Sequence, residues 1–324
     1  MAKKTYRRPS KRKRRSTQQQ ILGFLLVLIV GAIVYLFLPE EELQLTPTYS
    51  SLQNEQGFYY YQDVGISDYT YTAQNLIGQA LMLELRTITN DTKTLITYGD
   101  VRQALEIIDR DLNETDKLWG AYDNTMINAV WDQGETWDRE HVWPNSRLGL
   151  NRISNTQRSI ASDLHNLRAA TGSINSSKSD RFFSDGSGGA RTTTDGGFYP
   201  GDDHRGDVAR ILFYMAITYD YLVLTDDLDL LLDESYHYEV EGARMGQLSL
   251  LLTWHKEDPV SAFEIARNNR IFEIQGNRNP LIDRPEFVHL IWENKTIGDL
   301  AKPETVETTI FHLLTYMIKP RYFL

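Results

Sequence analysis

Hydrophobic residues form one uninterrupted run near the start of the chain. Residues 21–38 read ILGFLLVLIVGAIVYLFL, and none of these eighteen positions is charged. A helix rises ~1.5 Å per residue, so this run would span roughly 27 Å, close to the thickness of the hydrocarbon core of a bilayer. A soluble helix of this length normally keeps a polar face. The pattern therefore predicts a single transmembrane helix at residues 21–39.

The charges around this helix predict its orientation. Residues 1–20 carry nine Lys or Arg and no Asp or Glu. Because positively charged flanks stay in the cytoplasm, we expect this basic tail to lie inside the cell and the remainder of the chain outside it. A signal peptide that is cleaved to release a secreted protein is the alternative, but residues 35–42 contain no small-residue cleavage motif. The expected order is a cytoplasmic tail, an uncleaved anchor in the cytoplasmic membrane, an extracytoplasmic spacer at residues 40–74 and a folded domain at residues 75–324.

Helical patterns dominate the predicted folded domain. Apolar residues recur at spacings of three and four along residues 99–109 and residues 207–222, and good helix formers crowd residues 76–85. Another helix is expected to begin with Asp258 as its N-cap and to stop before Gly276.

Residues 119–198 interrupt this helical pattern. The stretch is irregular and rich in Gly, Ser, Asn and Asp, and long loops of such composition are often functional. The domain is therefore expected to be α+β: mainly helical, with a short β-containing insert that carries the unusual polar residues.

Composition and charge narrow the possible chemistry. The chain has no cysteine, which excludes disulfides, thiolate zinc sites and cysteine nucleophiles. The nine basic residues of the tail leave 25 of the 34 Lys and Arg for residues 40–324, against all 44 Asp and Glu, a formal charge of −19. This charge is unusual for a protein that binds nucleic acid, since phosphate affinity normally depends on basic patches. The insert is expected to supply a local positive patch from Arg139, Arg147, Arg152, Arg158 and Arg168.

Three polar motifs in the insert are candidates for chemistry. They read WDREHVWP at residues 137–144, DLHNL at 163–167 and SIN at 173–175. Glu140 supplies a hard oxygen and Asn175 a neutral carbonyl oxygen, both suited to Mg²⁺. His141 is neutral for much of the time near pH 7 and can take a proton from an attacking water. Hydrolysis of a phosphodiester needs this combination of a cation and a neutral base.

Spacing alone leaves a structural interpretation open for Glu140 and His141. Neighbouring residues on a straight strand point to opposite faces, so both reach one pocket only if the strand ends there, as Pro144 permits. An isolated Glu-His pair is more often structural than catalytic. A zinc protease is disfavoured, because the sequence has no His-Glu-x-x-His run.

Several longer motifs follow one another in a specific order. They are WDREHVWPNS at residues 137–146, SDLHNLRAATGSIN at 162–175, GDVARILFYMAITY at 206–219, LLTWHKEDPVSAFEIARNNRIFEIQGNRNPLID at 251–283 and PEF at 285–287. Together they closely resemble the bacterial endonuclease I family, secreted or periplasmic nucleases of the ββα-metal (His-Me finger) group. The resemblance covers roughly residues 75–292.

This resemblance implies the chemistry of the site. By position, His141 is similar to the family's general base, Glu140 to its metal-ligand glutamate and Asn175 to its metal-ligand asparagine. The resemblance implies one divalent cation, Mg²⁺ or alternatively Mn²⁺ or Ca²⁺, and endonucleolytic cleavage of DNA, RNA or both with little sequence preference. It also implies that a finger of two strands and a helix is embedded among helices, with the site at the strand end facing the helix. No protein partner is implied.

The chain departs from the family pattern at two places. Leu167-Arg168-Ala169 stands where many relatives have Leu-Arg-Pro. Lys178 and Asp180 stand where many have arginine and asparagine. Lysine keeps the charge but lacks the bidentate fork that suits phosphate, and Asp180 adds a negative charge near a phosphate site. We expect activity to remain at a full or reduced level, with weaker substrate binding or an altered metal preference as the consequence of Asp180.

Secondary candidates surround the reactive core. His165 and Asn166 are expected to bond across the finger, with a histidine buried against the backbone as the alternative. Arg158 is a candidate for stabilising the leaving group. The other candidates for substrate contact, each with a structural role as its alternative, are Arg139, Arg168, Lys178, Arg267 and Arg278.

The sequence thus predicts a membrane-anchored extracytoplasmic nuclease acting on DNA, RNA or both. Two alternatives remain open. One is a catalytically weak or silent envelope protein that binds nucleic acid, and the other is a metal-dependent hydrolase of another phosphoester. Intact Glu140, His141 and Asn175 favour the nuclease.

Overall fold

The computed structural model describes residues 52–303 of the chain. The basic tail at residues 1–20 and the anchor predicted at residues 21–39 lie outside the described residues. Within residues 52–303, no helix is both long enough and apolar enough to cross a bilayer.

Helices make up most of the regular structure in residues 52–303, and short strands pair into small sheets between them. The helices are α1 (Gly78–Asp91), α2 (Val101–Ile108), α3 (Gly172–Lys178), α4 (Arg205–Thr218), α5 (Leu228–Leu232), α6 (Leu248–Glu257), α7 (Ala262–Gln275), α8 (Pro280–Asp283) and α9 (Glu286–Trp292). The strands are β1 (Lys117–Trp119), β2 (Met126–Asn128), β3 (Trp137–His141), β4 (Leu167–Thr171), β5 (Arg191–Thr192), β6 (Phe198–Tyr199), β7 (Val223–Leu224) and β8 (Arg244–Met245). The expected α+β class, mainly helical with small sheets, is confirmed.

Helix α4 forms the centre of the core. Every residue from Gly206 to Thr218 is buried, and the helix packs against α1 and α6. Its charged members are paired inside the protein: Arg210 Nε and Nη2 donate to the two carboxylate oxygens of Glu264 at 2.5 and 2.7 Å. The apolar stripe predicted a helix as far as Leu222, but α4 ends at Thr218, and Leu222 is a buried residue of the loop that follows.

The start of α7 corrects the sequence prediction that placed the N-cap at Asp258. The helix begins after Ser261 because Ser261 and Glu264 form a capping box. Ser261 Oγ accepts from the Glu264 N–H at 3.2 Å, and Glu264 Oε2 accepts from the Ser261 N–H at 2.9 Å. Asp258 accepts instead from the Gly206 N–H at 2.8 Å. The predicted stop is confirmed, since Gly276 adopts a left-handed φ of 84° and ends the helix.

Strands β3 and β4 and helix α3 form a compact unit of two strands followed by a helix. The strands are antiparallel, with His141 opposite Leu167, and α3 begins at Gly172 directly after β4. A small apolar cluster that includes Trp137, Leu167 and Ile271 packs the strands against α2 and α7. This cluster gives the unit a rigid base.

Residues 52–74, the described part of the predicted spacer, pack against the helices. Tyr59 is only 1% exposed. Its backbone N–H donates to His289 Nε2 at 3.1 Å, and its hydroxyl donates to the His255 carbonyl at 3.3 Å. The segment therefore contributes core side chains beside α6 and α9.

Candidate active site

The end of β3 and the middle of α3 meet at a cavity of about 530 Å³. Glu140 and His141 come from the strand and Asn175 from the helix, and all three line this cavity. The Asn175 amide nitrogen Nδ2 lies 3.4 Å from the carbonyl oxygen of Arg139, which holds the helix side chain against the strand. The structure thus brings together the three residues that form the predicted reactive core.

The two neighbours Glu140 and His141 share the cavity because β3 ends there. Pairing with β4 stops at His141, and the next N–H, that of Val142, donates to the Asn166 carbonyl at 3.0 Å. The Asn166 side chain then binds the backbone of Trp143 twice: Oδ1 accepts from the Trp143 N–H at 2.7 Å, and Nδ2 donates to its carbonyl at 3.0 Å. Asn166 therefore bonds across the unit and fixes the point at which the strand terminates.

The backbone holds His141 in one tautomer. Its Nε2 lies 2.8 Å from the Ala161 carbonyl oxygen. Because a carbonyl only accepts, Nε2 carries the proton and the lone pair of the neutral ring is on Nδ1. Tyr98 stacks on the imidazole with ring centroids 5.6 Å apart. Burial lowers the pKa of His141 to about 4, so the ring is neutral near physiological pH and Nδ1 is able to accept a proton.

Glu140 is buried beside a lysine. Its Oε1 accepts from the Tyr122 hydroxyl at 3.0 Å and lies 3.7 Å from Nζ of Lys178, which has no exposed surface. Burial raises the pKa of Glu140 to about 7, although Lys178 and Tyr122 favour the charged form. Burial likewise lowers the pKa of Lys178 to about 8. Lys178 thus neutralises the carboxylate from within the protein and does not itself line the cavity.

The donor atoms of the cavity fit a hard divalent cation. Tyr122 and Lys178 both approach Oε1, and no described residue donates a hydrogen bond to Oε2 of Glu140. Since Nδ2 of Asn175 faces the Arg139 carbonyl, its Oδ1 remains a neutral acceptor. Across residues 52–303 no group of three or more His, Cys, Asp or Glu is placed to hold a metal ion. Mg²⁺ binds such oxygens while keeping several waters, so a cation here would rest on Glu140, Asn175 and water.

Arg139 lines the cavity, but its guanidinium is occupied by contacts with Tyr98 and Asp138. Its guanidinium lies 3.7 Å from the centre of the Tyr98 ring. Nη1 donates to the Tyr98 carbonyl, and Nε donates to Asp138 at 3.4 Å. Arg139 therefore braces Tyr98, the ring that stacks on His141.

Asp109 forms buried ion pairs with two of the candidate arginines, Arg168 and Arg267. Its Oδ1 accepts from Arg267 Nε at 2.7 Å, and its Oδ2 accepts from Arg168 Nε at 3.2 Å. Arg168 also lies 3.4 Å from Asp207. The carboxylate thus joins the end of α2 to β4 and α7, and neither arginine lines the cavity.

His165, Arg278 and Arg158 also lie outside the cavity lining. The buried ring of His165 packs against Tyr214 with centroids 4.3 Å apart. Arg278 Nε pairs with Asp283 at 2.6 Å. Arg158 is exposed and makes no hydrogen bond or ion pair with the rest of the described chain, so its side chain remains available to substrate.

Several important residues of the site carry no sequence signal. Tyr98 and Tyr238 line the cavity from two separate loops. Tyr122 binds Glu140, and the Ala161 carbonyl orients His141. A lone aromatic or a backbone carbonyl in a loop has no spacing that distinguishes it from its neighbours, so only the three-dimensional structure identifies these residues.

Known nucleases are similar to this chain over most of the folded part. The profile of the endonuclease I family matches residues 77–286. An extracellular ribonuclease of Bacillus subtilis (strain 168) is 34% identical over 229 residues, which cover 68% of this chain and 76% of that protein. An extracellular ribonuclease of Bacillus amyloliquefaciens is 35% identical over 234 residues, covering 69% and 78% respectively.

A more distant relative points the same way. Endonuclease-1 of Buchnera aphidicola subsp. Baizongia pistaciae (strain Bp) is 28% identical over 137 residues, which cover 38% of this chain and 46% of that protein. The family match includes every residue that lines the cavity. By that match and by its two extracellular relatives, the chain belongs to the endonuclease I family and is a nuclease.

Proposed function

We propose that this nuclease is an extracytoplasmic, metal-dependent endonuclease that hydrolyses DNA, RNA or both with little sequence preference. His141 acts as the general base, and Glu140 and Asn175 hold one divalent cation, Mg²⁺ or alternatively Mn²⁺ or Ca²⁺. The observation that carries the proposal is the convergence of these three side chains on one cavity.

The geometry around His141 supports its role as a base. Its Nε2 proton is committed to the Ala161 carbonyl, so Nδ1 takes the proton of the attacking water. The same hydrogen bond stabilises the imidazolium that results, since the bond favours the protonated ring. Tyr98 on the ring face and Ala161 at its edge prevent the imidazole from rotating while the proton moves.

The surroundings of Glu140 and Asn175 support their role as ligands. Tyr122 and Lys178 occupy Oε1 of Glu140 and so reserve Oε2 for a cation. When bound, the cation would stabilise negative charge on the phosphate and on the leaving oxygen. Burial of Glu140 excludes bulk water from the carboxylate and strengthens its attraction for a positive charge.

We further propose that residues 21–39 anchor the enzyme in the cytoplasmic membrane, with residues 1–20 inside and the nuclease domain at residues 75–324 outside. The uncharged run and the nine basic residues that precede it support this topology. The two Bacillus relatives bear the name extracellular ribonuclease, which favours an external location for the nuclease domain.

The location of the nuclease domain can be tested on intact cells. Protease treatment of intact cells should remove the nuclease domain from the membrane fraction. A shortened, fully released protein in the medium would instead show cleavage after a signal peptide.

One assay tests the chemistry. The full chain in mild detergent is incubated with plasmid DNA and with RNA, in Mg²⁺ or in EDTA, beside His141→Asn. Asparagine is polar but has no basic ring nitrogen, so the rate should fall at least about a hundredfold. His255→Asn, the same substitution at a histidine outside the cavity lining that contacts the Pro285 carbonyl, should leave the rate per folded enzyme unchanged.

The outcomes of this assay separate the parts of the proposal. If the wild-type protein degrades neither substrate, the proposed nucleic-acid hydrolysis is wrong. Unchanged cleavage by His141→Asn would contradict the role of the base. Cleavage that survives EDTA would contradict the role of the cation.

A further inference from the structure

We propose that Tyr238 is a stacking platform for an unpaired nucleobase next to the scissile phosphate, and that it makes the enzyme selective for single-stranded nucleic acid. This inference rests on the proposed function of the same cavity. It assigns a role to a residue that no motif in the sequence identifies.

The charge of the protein favours a source of affinity in addition to phosphate contacts. Residues 40–324 carry a formal charge of −19, and the cavity itself contains the acidic residues Glu140 and Asp180. Of the two arginines that line it, Arg139 is committed to Tyr98. Binding of a polyanion through basic residues is therefore weak here, because such binding depends on the number of phosphates neutralised.

The backbone holds Tyr238 at the cavity in a conformation that large residues rarely adopt. Its φ is 67°, in the left-handed region. Its N–H donates to the carbonyl of Ser146 at 2.6 Å, and Ser146 itself lines the cavity. Strained residues of this kind concentrate at ligand clamps and active sites, where surrounding contacts enforce them. The Ser146 contact thus ties the position of the tyrosine to the wall of the reactive cavity.

Arg152 fixes the ring of Tyr238 and extends the platform. Its Nε donates to the Tyr238 hydroxyl at 3.0 Å. Arg152 is exposed, and its two terminal nitrogens make no hydrogen bond with the residues that the structure describes. A base stacked on Tyr238 would therefore have a guanidinium beside it that can bind the adjoining phosphate.

The ring face of Tyr238 is less covered than that of Tyr98, the other tyrosine of the cavity lining. Tyr98 already has Arg139 over its ring at 3.7 Å and His141 stacked at 5.6 Å. No aromatic ring in residues 52–303 stacks on Tyr238, and the guanidinium of Arg152 is 5.9 Å from its centre. Tyr238 is thus the cavity ring with room for a base.

Stacking on Tyr238 selects for unpaired bases. A base inside a duplex is covered by its neighbours and has no face to offer, whereas bases of a single strand stack readily on aromatic side chains. One such contact changes affinity roughly five- to 150-fold. We therefore expect single-stranded RNA and DNA to be cleaved with a higher kcat/KM than duplexes of the same sequence.

Substitutions in one loop test the proposal. Tyr238→Leu in the full chain should lower kcat/KM about tenfold on a single-stranded oligonucleotide, mainly through KM, and less than twofold on the matching duplex. Tyr238→Trp keeps a stacking surface and should retain most of the selectivity. The matched control is Tyr236→Leu, a half-buried tyrosine of the same loop outside the cavity lining, which should behave as wild type.

A change in the substrate provides a test that does not depend on a variant's folding. Removing every base of a short single-stranded oligonucleotide, to give a strand made only of abasic sites, should weaken wild-type binding about tenfold and should not weaken Tyr238→Leu further. Fluorescence anisotropy in EDTA measures this binding without turnover, so the result stands even if the proposed hydrolysis fails. Equal binding of intact and abasic strands by the wild type would overturn the proposal. Equal losses on single strands and duplexes for Tyr238→Leu would also overturn it.

Discussion

The ammonium group of Lys178 lies 3.7 Å from Oε1 of Glu140, and neither side chain has more than 3% of its surface exposed. The sequence presents Lys178 as a candidate for phosphate contact, where many relatives have arginine. Because Lys178 is buried, its ammonium group contacts Glu140 and not a phosphate in the cavity. Lys178 is thus the fixed counter-ion of the proposed metal ligand.

Replacing Lys178 by Met is expected to lower the free energy of unfolding by up to about 3 kcal/mol in EDTA at mildly alkaline pH, because the buried Glu140 must either stay charged without its counter-ion or take up a proton. The same change removes a positive charge beside the proposed cation site. Mg²⁺ should therefore bind more tightly and restore part of the lost stability. Urea unfolding of both proteins in EDTA and in increasing Mg²⁺ measures the two effects.

The double variant Lys178→Met/Glu140→Gln is the control. It has neither charge, so it should regain stability in EDTA and gain none from Mg²⁺. A Lys178→Met protein as stable as wild type in EDTA would show that the ion pair contributes nothing.

Asp180 places a negative charge in the cavity lining. Asp180→Asn keeps the shape of the side chain and is expected to lower KM for RNA several-fold at low salt, because it removes repulsion of the phosphate. The effect should shrink as salt screens the charges. The control is Asp185→Asn, which changes the net charge equally at an exposed position outside the lining. If both variants lower KM alike, the local charge of Asp180 is not the cause.

Much of the fold follows from local sequence signals. The helices were predictable where apolar residues repeat at helical spacing, as along α4, and the end of α7 at Gly276 was predictable from its glycine. The start of α7 was not, because Pro259 also suits a first helical turn. The signature Ser261-x-x-Glu264 is a stronger signal, and it determines the start.

For the site residues, too, the sequence predicts the contacts that arise between neighbouring elements and misses those between distant parts of the chain. Glu140, His141 and Asn175 meet because β4 runs directly into α3, so their proximity follows from the predicted finger. Arg168 and Arg267 are different, since both meet Asp109 from distant parts of the chain. The sequence does not distinguish an arginine that pairs with a buried carboxylate from one that is free to bind a phosphate, because tertiary packing determines the partner.

Asn166 is predicted to position the base through the backbone of Trp143. Asn166→Ala removes both hydrogen bonds to that residue and should lower the free energy of unfolding by about 2 kcal/mol. It should also reduce kcat at least about tenfold with little change in KM, because the strand end that carries His141 loosens while the substrate contacts remain. Asn166→Asp keeps the acceptor but buries an unpaired charge against the Trp143 carbonyl, so it should destabilise the protein at least as much as Asn166→Ala. Full kcat in a destabilised Asn166→Ala protein would restrict the residue to a structural role.

Asp163 is a buried carboxylate that joins several elements of the core. Its donors are the His165 N–H at 3.0 Å, Gln275 Nε2 at 2.9 Å and the hydroxyls of Tyr214 at 3.1 Å and Tyr219 at 2.7 Å. Burial alone would raise the pKa of Asp163, but the nearby charge of Lys93 and these hydrogen bonds hold it below its ordinary value. The charged form therefore stabilises the fold.

Asp163→Asn should lower the free energy of unfolding by about 3 kcal/mol near neutral pH, because it removes a charged acceptor from a buried network. The folded-state pKa is depressed, so this contribution is fully present above the unfolded value of ~3.9 and is lost as the pH falls through the folded value. The gap between the two proteins should therefore close in acid. Urea unfolding over a pH series measures it, with the exposed Asp185→Asn as a control that should stay within about 0.5 kcal/mol of wild type. A gap that remains constant into acid would mean that the shape of the side chain, rather than its charge, holds these elements together.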